Sequence, residues 1–227
     1  MKDGNRVALV VNALVKTLVG ALLMGLPLFL SAGTLSYRGA WLLMALLFVP
    51  MVVVGIGLLI FSPELLERRL NSKEKRSKQS GVVRFSGLMF LVGFVIAGLD
   101  TRYGWSLMPT AVTVVASAVF LLSYAMYIEV MRENVWLSRT IEVVDGQKVI
   151  STGLYGVVRH PMYLATLGLF LVMPLILGSW WAVAVFACYI PIIVIRIADE
   201  ERLLLAELDG YADYCTRVRW RIVPFVW

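Results

Sequence analysis

The chain has 227 residues, of which 60% are hydrophobic and only 16% are charged. Soluble domains contain roughly 45–50% apolar residues, so this composition excludes an ordinary soluble enzyme. The formal net charge is +6, which in a soluble protein would suggest a nucleic-acid partner. Here the basic residues lie between long apolar runs, and that arrangement favours a membrane and no nucleic acid.

The residues that commonly bind metals are scarce. His160 is the only histidine, and the two cysteines, Cys188 and Cys215, are far apart in the chain. They form neither a disulfide framework nor a zinc-ligand cluster. We therefore expect no metal.

The apolar runs have the length of membrane-spanning helices. A hydrocarbon core about 30 Å thick requires about 20 mostly apolar residues per helix. Six runs of approximately this length occur in chain order: 6–30, 41–61, 84–99, 109–131, 161–177 and 180–197. The sequence predicts an all-α polytopic membrane protein with about six apolar helices, the first of them a retained span. Inside the spans, Gly55, Gly57, Gly87 and Gly93 indicate close helix packing.

The distribution of Lys and Arg predicts the orientation of these spans. Basic residues are concentrated before the first span, in the loop 62–84, between 132 and 161 and in the C-terminal tail, whereas the intervening loops have almost none. Because basic residues accumulate in cytoplasmic loops, we expect both termini and the loop 62–84 to be cytoplasmic. This arrangement of apolar spans and short basic loops is typical of a prokaryotic cell-membrane protein. The basic loop either sets the topology or also binds anionic lipid head groups.

One segment between the fourth and fifth spans has a different pattern. Two short β-prone runs, IEVV and QKVI, flank Asp145-Gly146, which is the signal for a tight turn between strands. The sequence predicts a small cytoplasmic β-hairpin here. Further on, Pro161 disfavours a helical conformation for His160 and can start the next helix, so His160 is expected at a helix entrance.

Two polar groups are predicted to meet at one membrane surface. The last two spans are joined by only Gly178 and Ser179, so they must form an antiparallel hairpin. The start of the first and the end of the second then lie side by side. The polar residues at these two ends are Tyr155, Arg159, His160, Tyr163, Arg196, Asp199, Glu200 and Glu201. They form either a functional site or an interfacial belt, and Arg196 is spaced to pair with Asp199 or Glu200 along the helix.

The motifs in this half resemble a known family. GLYGVVRHPMY at 153–163, followed by DEERLLLAELDGYADY at 199–214 and VRWRIVPFVW at 218–227, is similar to the isoprenylcysteine carboxyl methyltransferases and the related phospholipid N-methyltransferases. The resemblance covers residues 133–227, so we divide the chain into N-terminal transmembrane helices, 1–132, and a methyltransferase-like region, 133–227, with a helical tail. The first two spans match no motif of this family.

The resemblance implies S-adenosylmethionine as cofactor and a lipophilic or small methyl acceptor. It implies that Arg196 contacts the substrate and acts in catalysis. The cofactor-binding residues that it implies are Glu142, Gln147, Lys148, Val149, Ile150, Tyr155, His160, Pro161, Met162, Tyr163 and Glu200. The chemistry of the cofactor adds two more candidates, Arg159 as a donor to its carboxylate and Glu201 as an alternative to Glu200. Asp209-Gly210 departs from the eukaryotic pattern and leaves the roles of Tyr211 and Tyr214 open.

Two other functions remain compatible with the sequence. Membrane reductases of the steroid 5-alpha-reductase type, which use NADPH, carry a segment similar to RHPxY. A non-catalytic membrane binding or assembly protein is the third alternative. The acceptor of a methyltransferase also stays open between a carboxylate, a small thiol and a lipid amine, and His160 would be either a base or a hydrogen-bond donor to the cofactor. The oligomeric state is not predicted.

Overall fold

The computed structural model describes residues 3–70, 77–137 and 143–227, and all regular structure in these residues is helical. The helices are α1 (Asp3–Ala32), α2 (Arg38–Phe61), α3 (Pro63–Leu70), α4 (Ser77–Tyr103), α5 (Thr110–Glu133), α6 (Pro161–Leu177), α7 (Trp180–Ala187), α8 (Tyr189–Glu207) and α9 (Tyr211–Arg217), with a 3₁₀ turn at Gly153–Gly156. The predicted all-α class is confirmed for this part of the chain.

Within the described residues, five segments are long and apolar enough to cross a membrane. They are Val7–Ala32, Arg38–Phe61, Gly81–Tyr103, Thr110–Glu133 and Trp180–Glu207. The helix Pro161–Leu177 has the predicted bounds but only 17 residues, which at 1.5 Å per residue is about 25 Å. The predicted count of about six spans is therefore not supported for the described residues, which contain five such helices and the shorter Pro161–Leu177.

The last apolar segment is broken into two helices. α7 ends at Ala187, Cys188 lies in a turn, and α8 begins at Tyr189. Pro191 has no N–H to bond to the carbonyl of Ala187, and this loss disrupts a helix at that level. α8 then continues to Glu207, ten residues beyond the predicted end of the span, so the acidic residues lie on the helix itself.

Glycines bring three pairs of helices into close contact. A Cβ on Gly98 would lie 1.8 Å from Oγ of Ser31, joining α4 to α1, and one on Gly168 would lie 2.2 Å from Oγ of Ser123, joining α6 to α5. Gly93 contacts the ring of Phe186 in α7 in the same way. Of the four glycines predicted to pack, only Gly93 does so. Within the described part of the chain, no atom lies within 4 Å of the Cβ positions of Gly55, Gly57 and Gly87.

The buried carboxylate of Asp100 connects two loops by hydrogen bonds at the end of the bundle opposite His160. Asp100 is 2% exposed and accepts hydrogen bonds from the backbone and hydroxyl of Ser106 and, over 2.5 Å, from the hydroxyl of Ser179. Ser179 also caps α7 by accepting from the amide of Ala182. These bonds tie the turn between α6 and α7 to the loop after α4.

Lys16 is a charged residue inside an apolar helix, and its partner is found on α3. Its ammonium donates a hydrogen bond to the carbonyl of Leu70, the last residue of α3. The last carbonyls of a helix have no partner within the helix, and a cation is favourable at that end. Lys16 therefore anchors α3 against α1.

The predicted β-hairpin is not formed in the described residues. Gly146 has φ of 77°, and the amide of Gln147 donates to the carbonyl of Val144 over 2.9 Å, so the expected turn is present. No strand ladder follows it, because Val143 and Val149 pack against the C-terminal apolar cluster of Leu208, Tyr211, Tyr214 and Val218. Residues 141 and 142, in the first predicted strand, lie outside the described residues.

Candidate active site

The entrance of α6 is attached to the tail by its backbone. His160 is the N-cap of α6, and Pro161 follows as its first residue. The amides of Arg159 and His160 donate to the carbonyls of Trp220 and Arg221 over 2.9 and 2.8 Å. The tail thus lies beside the RHPxY segment.

Glu201 is the centre of a buried charge cluster. Its side chain is 8% exposed, and its Oε1 accepts from Nε of Arg159 over 2.8 Å and lies 3.2 Å from Nε2 of His160. Its Oε2 accepts from Nε of Arg221 over 2.7 Å. A carboxylate taken out of water is stable only with such compensation, so Glu201 holds the entrance of α6, the end of α8 and the tail together.

Glu200, the neighbouring carboxylate, faces a different group. Its Oε2 accepts a hydrogen bond of 2.5 Å from the phenol of Tyr163. The same phenol oxygen accepts from Nε of Arg196 over 3.5 Å. The three side chains are half-buried, and together they place one anion and one cation on either side of a phenol.

Tyr155 connects the end of α5 to the C-terminal cluster. Tyr155 is buried; its hydroxyl accepts from Nδ2 of Asn134 over 3.0 Å, and its carbonyl accepts from the hydroxyl of Tyr214 over 2.7 Å. Val149 packs against the same cluster as Tyr214. Tyr155 and Val149, two of the predicted cofactor-binding residues, therefore contact the same C-terminal element.

Tyr211 is a buried residue of α9, and its hydroxyl interacts with the thiol of Cys215. Its side chain lies in the same cluster, with its ring centroid 5.7 Å from that of Tyr214. Burial raises the pKa of Tyr211, and the nearby charges of Glu201 and Glu200 raise it further. The phenol is therefore neutral at physiological pH.

The remaining predicted site residues that the structure describes lie in different environments. Oε1 of Gln147 accepts from the amide of Val144 within the turn, and Lys148 is exposed. Pro161 is buried, whereas Ile150 and Met162 are half-buried. Glu142 lies outside the described residues.

Sequence reasoning missed two contributors. Arg221 binds Glu201 from the tail, and Glu133, at the end of α5, accepts a hydrogen bond from Thr152 next to Gly153, whose φ is 52°. The sequence does contain a signal for Arg221. Several arginines follow Glu200 and Glu201 in the chain, and these two carboxylates need cationic partners if they are buried. For Glu133 no sequence signal identifies the partner.

The polar cluster is the best candidate for a site for charged ligands. A groove of about 400 Å³ lies between α1 and α2, and it is lined by Val7, Val10, Val11, Leu59 and Ile60. None of these lining residues is charged, so the groove does not suit a charged ligand. Among the described residues, no set of three His, Cys, Asp or Glu side chains is arranged to hold a metal ion.

Comparison with known proteins supports the predicted resemblance. Residues 110–206 match the isoprenylcysteine carboxyl methyltransferase (ICMT) family; the match runs from the start of α5 almost to the end of α8. The predicted resemblance to this family is confirmed over the matched residues, which end before α9 and the C-terminal tail.

One curated protein shares part of the sequence. The Delta(14)-sterol reductase TM7SF2 of Mus musculus is 33% identical over 91 residues, which are 39% of this chain and 22% of the reductase. The chain thus spans only about a fifth of the length of this relative.

Proposed function

We propose that the protein is an integral membrane methyltransferase that uses S-adenosylmethionine and transfers the methyl group to a lipophilic or small acceptor, of which a carboxylate fits the site best. The observation that carries this proposal is the trio of Glu200, Tyr163 and Arg196. It offers a carboxylate and a guanidinium within one small half-buried space, in the region matched by the family.

The residues present fit this cofactor. Its ammonium requires a carboxylate. Tyr163 donates to Oε2 of Glu200 and leaves Oε1 to accept from the ammonium. Its adenine requires apolar or aromatic walls, which Tyr155 and Val149 supply. Its carboxylate requires N–H or cationic donors, and the candidates are His160 and Arg159, although both already bind Glu201.

We assign different roles to the two adjacent glutamates. Glu200 binds the ammonium of the cofactor, because one of its oxygens is not engaged by Tyr163. Glu201 has both oxygens bonded to positively charged or imidazole donors. Its main role is to keep His160 and Arg159 in place, and any contact with the cofactor would be additional.

The chemistry needs no metal and no covalent nucleophile. S-adenosylmethionine supplies an activated methyl group on a sulfonium, and the acceptor atom forms its bond to that carbon as the sulfur takes the electron pair. Arg196 would hold an anionic acceptor with its planar fork. Apolar side chains between α6 and α8, among them Leu164, Ile193 and Ile197, would limit the access of water, and proximity would provide most of the acceleration. An anionic acceptor needs no base, whereas an amine or thiol would require one of the groups around His160.

We place the site on the cytoplasmic side of the membrane. The described parts of the basic segment, α3 and the start of α4, lie with the tail at the same end of the bundle as His160, because α2 ends, α4 begins and α8 ends there. The excess of Lys and Arg at this end supports the orientation.

A membrane reductase is the second candidate, and the shared segment with Delta(14)-sterol reductase TM7SF2 is the observation that favours it. In that case the phenol of Tyr163 would be positioned to donate a proton, since it lies between a carboxylate and a guanidinium. The cofactor would then be NADPH.

Isothermal titration of the purified full chain with S-adenosylhomocysteine and with NADPH separates these functions. Binding of S-adenosylhomocysteine alone supports the methyltransferase, and binding of NADPH alone supports the reductase. Binding of neither would indicate a non-catalytic membrane protein. The acceptor can then be identified by mass spectrometry of lipids and thiols from cells fed labelled methionine, with and without the protein.

A further inference from the structure

The C-terminal part of the tail, residues 221–227, is a loop closed by its own backbone, and we call it the tail loop. The carbonyl of Trp227 accepts from three amides, those of Arg221, Ile222 and Val223, over 3.0, 3.0 and 3.2 Å. The amides of the fourth and fifth donors, at positions 226 and 227, bond to the carbonyl of Val223, each over 3.1 Å. The loop therefore satisfies these five amides without water, as non-helical backbone next to lipid requires.

The outer side of the tail loop is apolar and open. Phe225 is 87% exposed, Val226 76% and Val223 41%. The ring of Phe225 has one aromatic neighbour in its own segment, Trp220, with the ring centroids 5.4 Å apart. Since most of the Phe225 side chain stays exposed, that contact covers only a small part of it.

The backbone of Phe225 is in an unfavourable conformation for its residue type. Its φ is 65°, and it is the one non-glycine residue with a positive φ in the described part of the chain. Glycine and asparagine adopt this left-handed conformation more readily than a bulky residue does. The turn alone therefore does not explain a phenylalanine here, and backbone strain of this kind points to a use for the side chain.

The inner side of the tail loop packs at the level of the membrane spans. Ile222 is buried in a cluster with Met89 of α4 and Ile193 of α8, and Trp227 packs against the same cluster. Met89 lies inside Gly81–Tyr103, one of the segments that are able to cross a membrane. The loop is thus attached to the apolar parts of two spanning helices, and its open outer side is at the level where lipid surrounds them.

We propose that the tail loop is a membrane-contact surface, in which Phe225 and Val226 insert into the interfacial region of the lipid leaflet beside α4 and α8. Aromatic side chains are favourable at this depth. Arg217 and Arg219 are exposed just before the loop, where cationic groups can meet lipid phosphates. The partner is a lipid surface, so the proposal does not depend on the reaction that the protein catalyses.

The test measures whether the tail loop contacts lipid in the full chain. In a background with Cys188 and Cys215 replaced by alanine, an environment-sensitive fluorophore is attached at Val226→Cys. The protein is placed in nanodiscs whose phospholipids are either unmodified or brominated on their acyl chains, because bromine quenches fluorophores that touch it. Asp145→Cys, exposed in a turn, is the matched labelling control.

We expect the fluorophore at Val226→Cys to lose most of its emission in the brominated nanodiscs, and the one at Asp145→Cys to lose little. Adding Phe225→Asn to the Val226→Cys chain should reduce the quenching, because asparagine accepts the left-handed turn but does not insert into lipid. Its melting temperature in detergent should equal that of the parent, which verifies that the loop still folds.

Three outcomes would overturn the proposal. Equally weak quenching at Val226→Cys and Asp145→Cys in a folded protein would show that the tail loop is in water. Emission typical of an apolar environment without quenching at Val226→Cys would show that protein covers the loop, from this chain or a second copy. A lower melting temperature of the Phe225→Asn chain with unchanged quenching would make the ring a structural group. None of these results bears on the proposed methyl transfer.

Discussion

The phenol of Tyr163 donates to Oε2 of Glu200 over 2.5 Å, although 37 residues separate them in the chain. This bond joins the first turn of α6 to the end of α8. It leaves Oε1 of Glu200 as the oxygen that a ligand can use, and it orients the carboxylate before any ligand arrives. Under the proposed function, this bond sets the orientation of the carboxylate that would bind the ammonium of the cofactor.

Replacing Glu200 with Gln should weaken S-adenosylhomocysteine binding without unfolding the protein. A charge-assisted hydrogen bond is worth roughly 1.5–3 kcal/mol, which is about tenfold or more in affinity. Isothermal titration of Glu200→Gln measures this loss, and the melting temperature verifies the fold. Unchanged affinity in a folded variant would move the ammonium contact to another carboxylate.

The meeting of Tyr163 and Glu200 could be predicted, because a two-residue turn forces the last two apolar segments to be antiparallel. The bounds of α6 could also be predicted, since Pro161 marks its start and Gly178, at φ of 81°, its end. These features depend on local sequence and on chain connectivity, and both of these can be read from the amino-acid sequence.

Other features depend on which surfaces meet, and the sequence does not contain that information in readable form. Gly57 and Gly98 both lie inside apolar helices, yet only Gly98 contacts another helix. Arg221 is one of three arginines that follow α8, and its pairing with Glu201 requires the fold of the tail. The hairpin prediction failed for the same reason: Val143 and Val149 pack on the C-terminal cluster instead of forming a ladder.

Arg196→Lys separates a substrate clamp from a structural ion pair. Lysine keeps the charge but loses the planar fork, so a carboxylate acceptor should be methylated at least about tenfold more slowly while cofactor affinity stays nearly constant. Turnover, S-adenosylhomocysteine affinity and melting temperature are measured for Arg196→Lys and Arg196→Ala. Normal turnover in the lysine variant, with a lower melting temperature in the alanine variant, would assign Arg196 a structural role.

Cysteine labelling tests the proposed orientation. In a background with Cys188 and Cys215 replaced by alanine, we expect Asp145→Cys to be protected from a membrane-impermeant thiol reagent in intact cells. Ser36→Cys, exposed in the loop at the opposite end, is the matched variant and should react. The reverse pattern would show that the site faces the outside.

Gly98→Ala should destabilise the bundle, because its Cβ would lie 1.8 Å from Oγ of Ser31 and 2.7 Å from the carbonyl of Leu28. Overpacking of this kind typically costs about 1–3 kcal/mol. Gly57→Ala is the control: its Cβ would meet no atom of the described residues within 4 Å, and alanine favours a helix. Thermal unfolding in one detergent compares them, and equal melting temperatures would argue against the tight contact of α1 with α4.

Glu201→Gln tests whether this glutamate mainly supports the structure. Loss of the carboxylate charge leaves Arg159 and Arg221 without a counter-ion, and Nε2 of the new amide would face a donor where Oε1 or Oε2 now accepts. Breaking a buried pair from one side costs about 3–5 kcal/mol. For a chain of this size, this corresponds to a melting temperature lowered by roughly 6–20 °C.

Glu200→Gln is the matched control for this change, since it alters the neighbouring carboxylate, which is only half-buried. It should reduce ligand affinity with little effect on melting, whereas Glu201→Gln should reduce stability first. A second change, Arg221→Met in the Glu201→Gln background, removes one unpaired cation and should restore part of the lost stability, because the coupling between the two sites is direct. The opposite result would be a Glu201→Gln variant that melts like the wild type but binds S-adenosylhomocysteine more weakly. Glu201 would then be a cofactor-binding residue, and the charge cluster around it would not stabilise the contact between the tail and α6.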